Sequence, residues 1–393
     1  MSKASIIVGS AKVFEELGLP PGRHMPRAIS AQSDLALFTG DRDAAVMQVV
    51  GCGASLQRFP SFLTTGFPNG EVLLRDETGQ VLASRHSYGA GTTLFVNLPL
   101  TYLKQRTDGI FLHGFLRYFF RKDLKLPALS DALRGKGALI LNWHVDSRAA
   151  LPALERLEEK GLFDRESPLS FHVTAGPDVD VAGDQGGLDL DNNPKLQQLL
   201  KTLSGRGHAV GSHGGWIHNY FNIQTSEENA DEMEPFLALN HDFITRVMGA
   251  APREYSAPMG NQPLWASKWV KDQGILATYL TGNVGMGPTR LWIGSRRIED
   301  LWTFPVLTLG PVATAEDTFF QKVSQDTFYN WLQEVARYVL QEGMIRLVYF
   351  HPPGAVMHLK GVTNLVDRVG ACKKDGKCNW LTMTQAAEFM SRR

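Results

Sequence analysis

The chain has 393 residues, 43% of them hydrophobic and 20% charged, with 40 basic side chains against 40 acidic ones. That length accommodates two ordinary domains, the composition is globular rather than disordered or collagenous, and the balanced charge supplies no basic field to draw nucleic acid or anionic lipid. No run of about eighteen apolar residues predicts a membrane span, and the apolar part of Met1 to Gly9 is too short for a signal peptide.

In chain order, residues 1–128 predict a separate, smaller α/β domain. Leu35–Phe38, Ala45–Val50, Glu71–Leu74, Val81–Ala83 and Thr92–Leu98 are strand candidates, and Phe67-Pro-Asn-Gly70 and Asp76-Glu-Thr-Gly79 are turns able to link some of them as hairpins. Gly109–Phe120 predicts an apolar helix capped by Thr107 or Asp108. The stretch Tyr88–Pro99 resembles the closing strands of glutamine-amidotransferase-like domains, although no Cys-His-Glu triad accompanies it. Cys52, between two glycines, reads as a small core residue. Arg121–Gly137 is charged and contains Pro127 and Gly135, which predicts a linker, placed at 129–136.

From residue 137 the pattern alternates short apolar strands with helices. Gly137–Leu141 is a buried parallel strand in character, with Asn142 starting its exit and Asp146 at its carboxyl end. Ser147–Leu157 predicts a helix whose Pro152 is tolerable only in the first turn. Pro177–Pro194 is an Asp/Gly-rich surface loop that lacks the closing glutamate of an EF-hand. Leu196, Leu199, Leu200 and Leu203 mark one helix face, Gly205 ends it, and His208–His213 follows as a strand. Phe236, Leu239, Phe243 and Val247 predict the buried stripe of the next helix. Leu276–Leu280 is a strand, Gly282–Gly287 a loop, Asp326 a helix cap, Ile345–Phe350 a buried strand ending at His351, and Thr384–Met390 a final helix.

Two imidazoles and a carboxylate, each where a strand hands over to a loop or helix, form the ligand set of a catalytic divalent metal with an open position. They are Asp146, His213 and His218. The two histidines are five positions apart, on different faces of any helix, so a loop through Gly214 and Gly215 has to bring them together. His172 and His208 sit on apolar strands and are expected to be structural.

Taken in order, Leu139–Asp146, Phe171-His-Val-Thr-Ala-Gly176, Gly207–His213 with His218, Ser256-Ala-Pro-Met-Gly260 and Leu347–His351 resemble the successive motifs of the polysaccharide deacetylase (NodB-homology, carbohydrate esterase) family. The resemblance spans about residues 137–393 and implies a distorted (β/α) barrel carrying a metal-dependent N-deacetylase, with zinc the expected ion and cobalt or nickel as substitutes. It assigns the metal to Asp146, His213 and His218, proton donation to His351, and an oxyanion-holding backbone N–H to Met259. Trp216, Trp302 and Asp300 become candidates for substrate contact. The implied partner is an N-acetylated glycan, and the first domain becomes an accessory one for packing, dimerisation or glycan contact.

Two departures from the family pattern are coupled. Val145 and His144 stand where the family has its aspartate base, and Ser256 replaces the arginine that pairs with that base. An arginine beside an imidazole would depress its pKa without gaining a partner, so a histidine base and loss of the arginine go together. His144 is therefore the expected base, its ordinary pKa of about 6.5 being suited to neutral pH. The rival readings are a glycan-binding or assembly protein that has lost catalysis, and an amidase acting on a small C–N substrate. Cys372 and Cys378 flank a turn-like tip and suggest a disulfide. The bridge and the substrate class favour a periplasmic or extracellular location, whereas a genuine start without a signal peptide favours the cytoplasm.

Overall fold

The computed structural model describes residues 133–164, 167–280, 287–293, 296–306, 314–320, 322–340 and 343–392, and of the earlier chain 4–7, 22–31, 38–39, 48–49, 57–64, 71–75, 81–96, 116 and 119–126. The chain divides into two compact units, residues 1–129 with 308–313 and 319–327 in one, and 130–307, 314–318 and 328–393 in the other.

Within the first unit, a four-stranded sheet runs Ala4–Ile7, Gly91–Val96, Val81–Tyr88, Glu71–Arg75. The first pair is parallel and the other two are antiparallel. Buried Leu73, Ala83, Leu94 and Val96 form its core side. Arg85 bridges Glu71 at 3.2 Å and Asp123 at 2.5 Å. The strands expected at 71–74, 81–83 and 92–98 correspond to this sheet, the second being longer than its apolar start suggested. Of those expected at 35–38 and 45–50, the described parts are Phe38–Thr39 and Gln48–Val49, which pair antiparallel. Cys52 and most of the helix expected at 109–120 lie outside the described residues.

The second unit is a distorted barrel. Its nine-stranded sheet follows the order Thr289–Ile293, Arg296–Pro305, Ala277–Leu280, Glu254–Ser256, Ala209–His213, Ser170–Val173, Ala138–Val145, Ile345–Phe350, with Asn379–Trp380 pairing beside Ala138 and Leu139. Setting aside that short strand and the antiparallel 289–293 leaves seven parallel strands. Among the described residues, a bridge from Val306 to Leu347 joins the two ends of the run and closes the barrel.

The strand 138–145 is buried at every position, as a parallel strand covered on both faces must be. Alternation then sorts its side chains. Ala138 and Ile140 join Ala277, Tyr279, Phe304, Ile345 and Leu347 in an apolar interior that the last helix, Met383–Ser391, enters with Met383, Ala386, Ala387 and Met390. Trp143, facing the other way, packs against Phe163, Phe171 and Phe350 at 5.3, 6.2 and 5.5 Å. Fully burying each such aromatic contributes about 1.5–3 kcal/mol. The inward row continues with polar Asn142 and His144, where the apolar filling stops.

The helix Leu151–Glu159 takes Pro152 in its first turn, as the sequence requires. The helix Ala230–Met248 departs in part from the expected stripe. Phe243 and Val247 are buried as expected, together with Met233, Leu237, Asn240, His241 and Ile244, whereas Leu239 is 47% exposed. The face toward the strands contains an asparagine, which a count of apolar spacings passes over. Cys372 and Cys378 are free thiols rather than the disulfide that the turn-like spacing suggested. Cys378 is buried, and its Sγ is turned onto the carbonyl of Val369 at 3.7 Å.

Candidate metal centre

The site forms at the carboxyl ends of the parallel strands, where backbone groups and side chains from successive strands converge. Asp146 follows the 138–145 strand, His213 ends the 209–213 strand, and His218 opens the helix His218–Gln224. The loop between the histidines depends on its glycines. Gly214 has φ +61°, and a Cβ on Gly215 would lie 2.4 Å from the Phe221 ring. The turn therefore folds flat against the following helix and returns His218 to His213.

The ligand atoms of Asp146, His213 and His218 all lie within 4.8 Å of one another. His213 Nε2 is 3.0 Å from His218 Nε2, and His218 Nε2 is 3.6 Å from Asp146 Oδ2. For nitrogen and oxygen ligands at about 2.0–2.1 Å, a tetrahedral site has edges of about 3.3 Å, so the three atoms fit three corners of one. The proton positions fit as well. His213 Nδ1 donates to the carbonyl of Ser256 at 3.0 Å, and His218 Nδ1 donates to Asn219 Oδ1 at 2.8 Å. Both Nε2 atoms are thereby left bare, facing each other beside a carboxylate. Burial, followed by the neighbouring His218, holds His213 neutral; burial also lowers the pKa of His218, against the pull of Asp146. Neutral imidazoles with the second nitrogen tied back, and an ionised carboxylate, are what a divalent cation requires.

His351 stands beside this set. Its Nε2 is 3.3 Å from Asp146 Oδ2 and its Nδ1 is 3.6 Å from Glu316 Oε2. Burial works against its charge, but the two carboxylates outweigh burial and push its pKa up to about 10. Glu316 is in turn fixed by the N–H of Gly354 at 2.7 Å. Sequence reading missed Glu316, which belongs to no strand or periodic helix; its one signal is an acid some thirty-five residues before the Pro-Pro-Gly turn that follows His351.

His144 is 2% exposed, with its ring centroid 4.2 Å from that of His213, 4.7 Å from Tyr349 and 5.5 Å from His351. Burial first, then the imidazoles of His213 and His351, hold it neutral. Its Nε2 has no hydrogen-bond partner among the described residues. Met259 lies in the short turn after the 254–256 strand, 81% exposed at left-handed φ +49°, and Asn222 Nδ2 reaches its Sδ at 2.9 Å. Trp216 is half-buried, with its ring 5.4 Å from Phe243.

Trp302 and Asp300 are not brought to the site. Trp302 pairs with Ala277 at the amino end of its neighbour, bonds Ser391 at 3.0 Å and lies under the Arg290 guanidinium at 3.9 Å. The parallel register carries both residues to the opposite end of the barrel, and they are withdrawn as substrate contacts. His208 is structural, accepting from Leu169 N at 3.0 Å and donating to the carbonyl of Phe163 at 2.9 Å. The Asp/Gly loop is organised by Asp184, whose carboxylate accepts backbone N–H groups from Val179, Asp180, Val181 and Gly186. The loop then leans on the helix carrying His218, through Asn219 Nδ2 to Asp180 at 2.7 Å.

The chain is similar in fold to polysaccharide deacetylases. A polysaccharide deacetylase from Mycobacterium smegmatis is 17% identical, with 65% of this chain and 90% of that one covered and a TM-score of 0.46. One from Pseudomonas aeruginosa PAO1 is 14% identical over 70% of this chain and 97% of that one, with a TM-score of 0.47. The PuuE allantoinase is 14% identical over 68% and 94%, also at 0.47. No protein-family model matches the chain, and no curated protein matches it by sequence.

Proposed function

We propose that the chain is a metal-dependent hydrolase that removes N-acetyl groups from the amino sugars of a polysaccharide. The observation that carries the reaction type is the convergence of three lone pairs, from Asp146, His213 and His218, with the competing protons directed elsewhere. The substrate class rests on the ordered sequence motifs from Leu139 to His351.

Asp146, His213 and His218 would hold a divalent cation, which when bound would supply Lewis acidity toward the amide carbonyl and lower the pKa of water toward about 7. The protein's own groups do the rest. His144 is neutral, and its unpartnered Nε2 accepts the proton that water gives up. The backbone N–H of Met259 holds the developing oxyanion at the carboxyl end of the 254–256 strand. His351 is protonated between Asp146 and Glu316 and delivers its proton to the departing nitrogen. The C–N bond breaks, giving acetate and a free amine.

The test is acetate release from N-acetylated amino-sugar oligomers and from a panel of small amides, with metal content measured on the same samples. Release from oligomers, abolished by chelation and restored by zinc or cobalt, supports the reading. Metal-loaded protein that releases acetate from neither class refutes the hydrolase, and turnover of small amides alone replaces the glycan by a small C–N substrate.

A further inference from the structure

Behind His213 lies a chain of buried polar groups that the reaction above does not use. Ser256 Oγ is 2.7 Å from His213 Nδ1 and 2.7 Å from His172 Nδ1. His172 Nε2 is 3.1 Å from Glu254 Oε2. All four side chains are buried, and they come from three adjacent strands in register, His172 beside Gly211 and Ser212 beside Tyr255. Glu254 Oε1 accepts from the backbone N–H of Thr384 at 2.6 Å.

The proton positions can be worked out from one end. The carbonyl of Ser256 only accepts, so the nitrogen facing it, His213 Nδ1, carries a proton. A protonated Nδ1 cannot accept from the Ser256 hydroxyl, which therefore sends its own proton to its other neighbour, His172 Nδ1. That nitrogen is then bare, consistent with a second donor, Asn142 Nδ2, at 3.2 Å. The remaining proton of His172 is on Nε2 and is directed to the carboxylate of Glu254. Each link fixes the next, and the far end is a carboxylate that cannot donate. The reverse order would put the proton of His213 on Nε2, against His218, where it would block a cation.

We infer that Glu254, His172 and Ser256 are positioning residues that lock His213 with its Nε2 lone pair directed into the metal centre. The inference rests on the proposed metal-binding role of that centre. It extends the site from three ligands to a hydrogen-bonded support spanning three strands, and it gives Ser256 a role of its own in place of the arginine the family pattern would have there. Outer partners of ligating histidines typically control metal affinity by about 10–100-fold.

The experiment uses the full chain labelled with 15N-histidine. Long-range 1H–15N spectra of metal-free protein are expected to show His213 protonated at Nδ1 and His172 protonated at Nε2. Co2+ titration of Ser256→Ala, which removes one oxygen from a buried strand, is expected to show dissociation constants about 10–100-fold above those of the parent, with an altered visible d–d spectrum. A parent His172 protonated at Nδ1 overturns the inference, as does a folded Ser256→Ala that binds Co2+ within about twofold of the parent with the same spectrum. Failure of the hydrolase reading looks different. A parent that binds Co2+ but turns over no amide leaves the support intact, and a parent that binds no Co2+ removes the metal reading while its tautomers still decide the proton order.

Discussion

Asn240→Ala tests the framework that holds the site-bearing strands together. The Asn240 side chain is completely buried, and its Oδ1 accepts the backbone N–H of Ala175 at 2.7 Å. Its Nδ2 donates to Ser212 Oγ at 2.9 Å and to the carbonyl of Val173 at 3.2 Å. One amide thus ties the ends of the 170–173 and 209–213 strands to a helix. Alanine leaves the Ala175 N–H without its acceptor, and an unpaired buried group costs about 1–3 kcal/mol. The hydroxyl and carbonyl have other capacity and add less, so a total of about 3 kcal/mol is expected. For a unit of this size, each kcal/mol moves the melting temperature by about 2–4 °C, giving a fall of about 6–12 °C. Thermal unfolding followed by circular dichroism measures it, with Leu239→Ala as the paired control. Leu239 is the neighbour that apolar spacing alone would bury; because it is exposed, its loss is expected to change stability by less than about 0.5 kcal/mol. A larger effect at Leu239 than at Asn240, or a fall of under about 2 °C at Asn240, would refute the assigned helix face.

Asp146→Asn and His213→Ala are each expected to abolish binding of one equivalent of metal, measured by elemental analysis after dialysis; retained stoichiometry in both would remove the ligand set. His351→Gln is expected to keep the metal while turnover falls about 10²–10⁴-fold, the usual contribution of a positioned proton donor, and unchanged turnover would place the donor elsewhere. Glu254 gives a pH dependence. Burial alone would raise its pKa, but the hydrogen bond from His172 and the N–H of Thr384 bring it below the ordinary 4.5. A carboxyl depressed on folding stabilises the protein above its unfolded pKa and loses that contribution as pH falls through its folded one. Urea midpoints of the parent should therefore decline below about pH 4.5, and Glu254→Gln should flatten that decline; parallel curves for the two would contradict it.

The convergence of Asp146, His213 and His218 was legible because chemistry and element boundaries coincide. Asp146 and His213 each end an apolar run, and the glycines at 214 and 215 announce a turn before His218. Trp302 was misplaced because a tryptophan near an acid carries no mark of which end of a strand it occupies; the pairing of Trp302 with Ala277 settles that, and sequence does not contain it. His172 reads as structural and is buried and hydrogen-bonded, but what it bonds to was not legible. Its partners Ser256 and Glu254 are more than eighty positions away, and only the order of strands in the sheet brings the three together. The helix 230–248 was legible as a helix and its inward face only in part, through Phe243 and Val247, since a buried asparagine is invisible to a hydrophobic count.

The last helix, which enters the barrel interior, also bears on when the molecule becomes whole. Its Met383 N–H donates to Ser170 at 3.1 Å and its Thr384 N–H to Glu254, from within residues that emerge from the ribosome after every strand of the barrel. Until they arrive, the interior stays open to water at the end opposite the metal centre, with Glu254 short of one donor. A nascent chain can therefore pair its strands early and still complete its polar interior only once residues 383 and 384 have emerged, so a ribosome stalled before residue 383 would display a protease-sensitive barrel that the 393-residue chain does not.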